Sequence, residues 1–177
     1  MLKRTPSCFC YTSTMKRILV VGISGSGKTR LAKLLSEKLH LPVIHLDTIF
    51  WKENWQEEDS QIVEEKIRDS ITQGQWIIEG YIEPLSRERV VRADTVLFLD
   101  YPAYAALWGG LSRWRQYRGK KRPEMPTGNT ESLGLKFLMT LLRRDERPEI
   151  KAAIKGFEAK VVRLKSRRST KRYLAKL

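Results

Sequence analysis

Cysteine is nearly absent. The 177-residue chain has two, Cys8 and Cys10, both within its first 14 residues. Nothing from residue 15 onward can therefore be held by a disulfide, which fits a reducing compartment, and a cytoplasmic protein is expected. A lone C-x-C pair with no histidine beside it also lacks the spacing of a zinc site. Long apolar runs are missing as well. No stretch approaches the roughly 18 to 20 residues that a membrane span needs, so no membrane partner is expected. The opening segment, MLKRTPSCFCYTST, has no apolar core of the secretory kind and reads as a flexible extension over residues 1–14, ahead of a second methionine, Met15. Residues 15–177 have the length of a single domain built on one hydrophobic core.

Acidic residues are in deficit: 20 Asp and Glu stand against 34 Lys and Arg, a formal charge of +14. An excess of that size points to polyanionic partners. It is concentrated at the C-terminal end, where Lys151 to Leu177 holds ten basic residues and one acid, Glu158. Lys160, Arg163, Lys165, Arg167, Arg168, Lys171 and Arg172 form a candidate surface for nucleic-acid phosphates, with no means of reading bases. A solvated basic face, or one serving the protein's own anionic ligand, is the alternative.

What is present is an alternation of strands and helices. Arg17–Val21 is a continuous apolar run stopped by Gly22, the pattern of a strand buried on both faces. Leu31, Leu34, Leu35 and Leu39 then recur at helical spacing over Lys28–His40, and Pro42 precedes a second strand at Val43–Leu46. Ile62, Val63, Ile67 and Ile71 mark a helix from Asp59 or Ser60, with acids expected in its first turn. Further strands are expected at Gln75–Ile78, Thr95–Leu99 and Val161–Leu164. Helices are expected at Pro84–Arg92, Pro102–Trp114 and Leu133–Leu142, with Pro148 breaking the last or starting another, and a basic helix ends the chain. Gly119–Gly128 reads as a mobile basic loop. Strands alternating with helices imply a three-layer α/β fold around a parallel sheet, with ligands at the carboxyl ends of its strands.

Gly22-Ile23-Ser24-Gly25-Ser26-Gly27-Lys28-Thr29 matches G-x-x-x-x-G-K-[ST], the Walker A pattern, between a strand and a helix as the motif requires. Gly22, Ser24, Gly25, Ser26 and Gly27 let the backbone turn its N–H groups onto phosphate oxygens. Lys28 adds a cation where the positive end of the helix dipole disfavours one, which a bound anion explains. Thr29 offers its hydroxyl to Mg²⁺. ATP and Mg²⁺ are the expected ligands.

Together with this loop, HLDTIFW (45–51), WIIEGY (76–81), DTVLFLDYP (94–102) and YRGKKRPEMP (117–126) resemble the adenylate-kinase-related topology modulation (FlaR-like) proteins. The resemblance implies a nucleoside monophosphate kinase-like P-loop fold with a five-stranded parallel sheet and a basic lid over about residues 115–145. It implies that Glu79, at the end of the third strand, helps hold Mg²⁺ with Thr29. It also implies that lid arginines stabilise charge on the moving phosphoryl group, Arg113 first among them, with Arg115, Arg118, Lys121, Arg122 and the Arg143-Arg144-Asp145 group in support. An earlier arginine of the family pattern is replaced by Gly109. The acceptor side departs from adenylate kinase: no arginine occurs from Thr48 to Trp55, and Tyr81-Ile82-Glu83 follows Gly80. Asp47 is a candidate to bind an acceptor hydroxyl or take its proton, with a helix N-cap as the alternative. Trp51, Trp55 and Tyr81 are candidate pocket residues, Arg87 and Arg89 candidate contacts to an anionic acceptor, and Asp100 is expected to cap the helix after Pro102. The expectation is a Mg-ATP-dependent phosphotransferase whose catalytic set is Lys28, Arg113, Arg143 and Asp47, acting on a small acceptor. The alternatives are a nucleotide-dependent DNA-binding regulator and a simple NTPase.

Overall fold

The computed structural model describes residues 15–80, 86–130, 134–143 and 145–177; the extension 1–14 lies outside them. Five strands form one sheet: β1 (Arg17–Gly22), β2 (Val43–His45), β3 (Trp76–Glu79), β4 (Thr95–Leu99) and β5 (Val161–Leu164). Their order is β2-β3-β1-β4-β5 and every pairing is parallel. The central place of β1 explains its composition. Flanked by β3 and β4 and covered on both faces, its residues from Ile18 to Val21 are all fully buried, so an unbroken apolar run replaces the alternation of a one-sided strand.

The two faces sort by the two-residue period of a strand. Leu19 and Val21 of β1 pack with Trp76, Ile78, Val96 and Phe98 under α3 (Ser60–Thr72), α4 (Ser86–Arg92) and α7 (Glu146–Ile154). Ile18 and Val20 point the other way, with Ile77, Leu97 and Leu99, onto Leu31, Ala32 and Leu35 of α1 (Lys28–Leu39). Each such apolar side chain contributes about 1.5–3 kcal/mol by leaving water. Leu31, Leu35 and Leu39, read as the inner stripe of α1, take that place, whereas Leu34 is exposed.

The remaining helices are α2 (Asp47–Phe50), α5 (Ala103–Tyr117), α6 (Leu135–Arg143) and α8 (Arg167–Leu174). Two local expectations need correction and a third is met. The first turn of α3 holds no acid; its acidic group is the cap, Asp59, whose side chain accepts the Gln61 N–H at 2.8 Å. Pro148, expected to break a helix or start another, does the latter, sitting in the first turn of α7 where its missing N–H would have no partner in any case. Asp100 does not cap α5, whose N-cap is Pro102 with no side-chain bond. Asp100 is instead buried between Arg147 of α7 and Arg163 of β5.

The parallel order brings Gly22, Glu79 and Asp100 to one edge of the sheet, where β1, β3 and β4 end. The site is built on that edge.

Candidate phosphate and acceptor site

The loop between β1 and α1 needs its glycines for two reasons. Gly25 and Gly27 have φ of 75° and 91°, left-handed values that a side chain disfavours. Gly25 also lies so close to α5 that a Cβ there would stand 2.2 Å from the carbonyl oxygen of Ala106. Across the same contact, a Cβ on Gly109 would stand 2.0 Å from the carbonyl oxygen of Gly25. A glycine at position 109 is therefore a packing requirement of this loop. Ser26 is buried with no partner for its hydroxyl oxygen, and Lys28 Nζ reaches back along the loop to the carbonyls of Gly22 (2.8 Å) and Ile23 (3.3 Å). A cradle of free backbone, an orphaned hydroxyl and a lysine folded across the loop fit a phosphate chain.

Thr29 and Glu79, paired on sequence grounds, meet in the structure. The Thr29 hydroxyl donates to Glu79 Oε1 at 3.1 Å, and the carboxylate is almost fully buried. His45 Nδ1 lies 2.7 Å from the same oxygen. That histidine was missed, although strand register places it: His45 pairs with Glu79 across β2 and β3. Two protein oxygens side by side suit Mg²⁺, which keeps most of its ligands as water and phosphate; among the described residues no larger metal-ligating cluster exists.

These groups line a cleft of about 680 Å³. Its walls carry Asp47 and Arg122 on one side, Arg113, Gln116 and Tyr117 of α5 on another, and Arg167 and Lys171 of α8 on a third. Asp47 is the first residue of α2 and not its cap, which is Leu46. Its Oδ2 lies 3.6 Å from Arg122 Nη1. Arg122 belongs to the basic loop expected to be mobile, and that loop is pinned. Met125 and Asn129 are buried, Lys33 pairs with Glu124, and Asn129 accepts the Trp55 N–H at 2.6 Å while donating to the Lys52 carbonyl at 2.9 Å. Those bonds hold Asn54 and Trp55 in left-handed backbone (φ 56° and 58°), a conformation that costs about 1–2 kcal/mol per residue outside glycine.

The architecture can be placed among known proteins. The shikimate kinase of Acinetobacter baumannii, solved in complex with shikimate, superposes with a TM-score of 0.56 over 92% of this chain and 90% of its own, at 20% identity. That of Bacteroides thetaiotaomicron gives 0.55 over 91% and 95% at 19% identity, and a sugar kinase from Janibacter gives 0.53 over 91% and 93% at 16%. The chain has a shikimate-kinase-like P-loop kinase fold. In sequence, the shikimate kinase of Flavobacterium psychrophilum is 42% identical over 52 residues, 29% of this chain and 30% of that protein. The chain thus matches less than a third of the length of that curated relative, and no family model matches it.

Within the P-loop kinase fold, the expected arginines divide. Arg113 and Arg122 face the cleft, whereas Arg143 ends α6 exposed and does not line it. Arg115 is exposed, Arg118 stacks on Trp114 at 5.1 Å, and Lys121 is exposed beside a bridge to Thr130. Arg144 and Tyr81 lie outside the described residues. Arg87 lies over Phe157 at 5.1 Å and Arg89 is buried, and neither lines the cleft among the described residues. Trp51 and Trp55 pack edge to face on each other and do not line the cleft. Arg167, read as part of a nucleic-acid surface, contributes to the cleft instead, its Nη2 lying 3.4 Å from where a Gly109 Cβ would be.

Two contacts that the sequence did not suggest support the loop from the α7 side. Glu146 accepts the Ser24 N–H at 2.7 Å and the Ser24 hydroxyl at 2.6 Å. Next to it, Arg147 grips Asp100 through Nε (2.7 Å) and Nη2 (3.0 Å), and Arg163 holds the other side of that carboxylate. Burial opposes the ionisation of Asp100, but the bonds from Arg147 and Arg163 outweigh it and bring its pKa down to about 2.

Proposed function

We propose that the chain is a P-loop phosphotransferase that moves the γ-phosphoryl group of Mg·ATP to a hydroxyl of a small acceptor. The observation that carries this reading is the convergence of Lys28, Thr29 and Glu79 with Asp47 on one 680 Å³ cleft. The loop amides and Lys28 bind the donor phosphates. Thr29 and Glu79 would hold Mg²⁺, which neutralises charge on the transferring group. Asp47, across the cleft, holds the acceptor hydroxyl and takes its proton. Arg122 Nη1, 3.6 Å from its Oδ2, is the cation beside it. Arg113, on α5, faces the charge that develops in transfer, the part first assigned jointly to Arg113 and Arg143. Residues 115–145 serve as the lid. Relatives named as shikimate and sugar kinases share the fold, which favours a hydroxyl compound over a nucleoside monophosphate, as does the absence of arginine from Thr48 to Trp55. Kinship with the topology modulation proteins rests on the sequence segments alone.

The test is a panel of hydroxyl acceptors with Mg·ATP, following ADP release. One or more acceptors should stimulate release, and Lys28→Ala should abolish it. Stimulation that survives Lys28→Ala sinks the reading.

A further inference from the structure

The Ser24–Glu146 contact joins a phosphate-loop residue to the first turn of α7, 122 positions away in the chain. One carboxylate takes both donors that Ser24 possesses. Ser24 itself lines the cleft, while Glu146 is half-buried and does not, so the carboxylate holds the loop from behind rather than competing for the ligand. The start of α7 is in turn held by the paired bonds of Arg147 to Asp100, whose carboxylate also receives Arg163. Glu146 is therefore fixed to the ends of β4 and β5 and cannot drift with the loop.

The loop has two halves with different supports. From Gly27 onward it is the N-terminus of α1, positioned by helix packing against Ile18, Val20 and Ile77. From Ile23 to Gly25 it is irregular: Ile23 is anchored in the core and its carbonyl accepts the Ser26 N–H at 3.1 Å, while Ser24 is held by Glu146 and Gly25 by the close approach of α5 at Ala106 and Gly109. Lys28 Nζ, the group that reaches the terminal phosphates in such loops, lies on this second half, against the carbonyls of Gly22 and Ile23. In the phosphotransferase reading, Ser24 would then stand at the γ-phosphate end.

We propose that Glu146 is a positioning residue for the γ-phosphoryl group: by holding Ser24 through its N–H and hydroxyl, it sets the half of the loop that distinguishes ATP from ADP. The inference rests on the phosphotransferase reading, in which the loop binds a triphosphate. Its consequence is selective. Loss of Glu146 disturbs contacts to the terminal phosphate and leaves those made by the α1 half in place, so ATP affinity falls and ADP affinity does not.

The experiment is calorimetric titration of the full chain with Mg·ATP and with Mg·ADP, for wild type, Glu146→Ala, Glu146→Gln and Ser24→Ala. A hydrogen bond to a charged group commonly carries about a tenfold factor or more in an equilibrium. The expected result is accordingly at least about tenfold weaker ATP binding in Glu146→Ala, with ADP within about twofold. Glu146→Gln keeps one acceptor oxygen and Ser24→Ala keeps the N–H bond, so each gives an intermediate loss. The two combined lose less than the sum of their separate effects, because they remove parts of one contact. Glu146→Gln is nearly isosteric and carries the test if Glu146→Ala does not fold. Equal weakening of both nucleotides, no change in either, or tighter ATP binding on removal of the carboxylate each overturn the proposal. A wild-type chain that binds neither nucleotide overturns the phosphotransferase reading itself, whereas one that binds both, with a ratio unmoved by these variants, overturns only the role of Glu146.

Discussion

Replacing Gly109 with alanine adds one methyl group to the face of α5 that meets the phosphate loop. Built on the existing backbone, that Cβ stands 2.0 Å from the carbonyl oxygen of Gly25 and 3.0 Å from its carbonyl carbon. Ordinary van der Waals contact lies at 3.4–4 Å, and both partners are backbone, so no side-chain rotation relieves the clash. The helix and the loop must part by about 1 Å or more. Overpacking of this kind costs about 1–3 kcal/mol. For a chain of this size that corresponds to a melting temperature lower by roughly 4–8 °C at the middle of that range. The same displacement moves Gly25 within the proposed phosphate cradle and is expected to weaken Mg·ATP binding. Thermal denaturation and Mg·ATP titration of Gly109→Ala read the two effects together. Gly74→Ala, where a Cβ would meet nothing within 4 Å, serves as the control. A Gly109→Ala protein with the melting temperature and ATP affinity of wild type refutes the close contact between α5 and the loop. Gly109→Arg puts a longer side chain at the same contact and is expected to be worse than alanine rather than a gain in phosphate grip.

Asp100→Asn leaves Arg147 and Arg163 without their buried counter-charge and is expected to cost about 3 kcal/mol, read by chemical denaturation. With a folded pKa of about 2, below the ordinary carboxylate value, Asp100 contributes stability that is present above pH ~4 and lost as pH falls toward 2. The gap between wild type and Asp100→Asn should therefore narrow across that window; a constant gap argues against the ion cluster. Glu79→Gln removes the charge beside Thr29, and the Mg²⁺ concentration needed for half-maximal ATP turnover is expected to rise about tenfold; an unchanged Mg²⁺ dependence takes Glu79 out of the metal site. Duplex DNA binding, if measured by anisotropy, should be weak and fall with salt at a log–log slope no steeper than about −3. Of the seven basic residues first grouped as a nucleic-acid surface, Arg163 holds Asp100, Lys160 donates to the Val91 and Ala93 carbonyls, and Arg167 and Lys171 line the cleft. A steep slope with binding that persists at physiological salt revives the regulator.

The loop proposed to hold the donor phosphates was legible as a strand–loop–helix unit because it is local. Eight consecutive residues make the phosphate loop, and a strand ending in Glu79 delivers its carboxylate to Thr29 by the rules of a parallel sheet. The sheet itself was legible from the buried runs of β1, β3 and β4, with boundaries off by about one residue, as at β3, which runs through Glu79. The four-residue helix α2 has too few turns to show a period, so Asp47 was placed by its neighbours and not by its element. The contacts least legible were those between distant side chains. Nothing in the local pattern around Glu146 or Arg147 indicates Ser24 or Asp100, and a lone carboxylate after Leu99 looks the same as a helix cap until Arg147 and Arg163 are folded against it. For the same reason the sequence did not show that Arg167 lines the cleft and Arg143 does not. Both are basic residues at helix ends, and tertiary placement alone decides which one meets the cleft.

The central claim, transfer of a phosphoryl group from the phosphate loop to a hydroxyl beside Asp47, is tested most directly with γ-labelled ATP and the acceptor panel, comparing wild type with Asp47→Asn. The expected result is label recovered in an acceptor with wild type, and transfer reduced at least about 100-fold in Asp47→Asn with ATP affinity unchanged. Tight ATP binding by wild type with no label leaving ATP for any acceptor, or transfer undiminished in Asp47→Asn, contradicts the account.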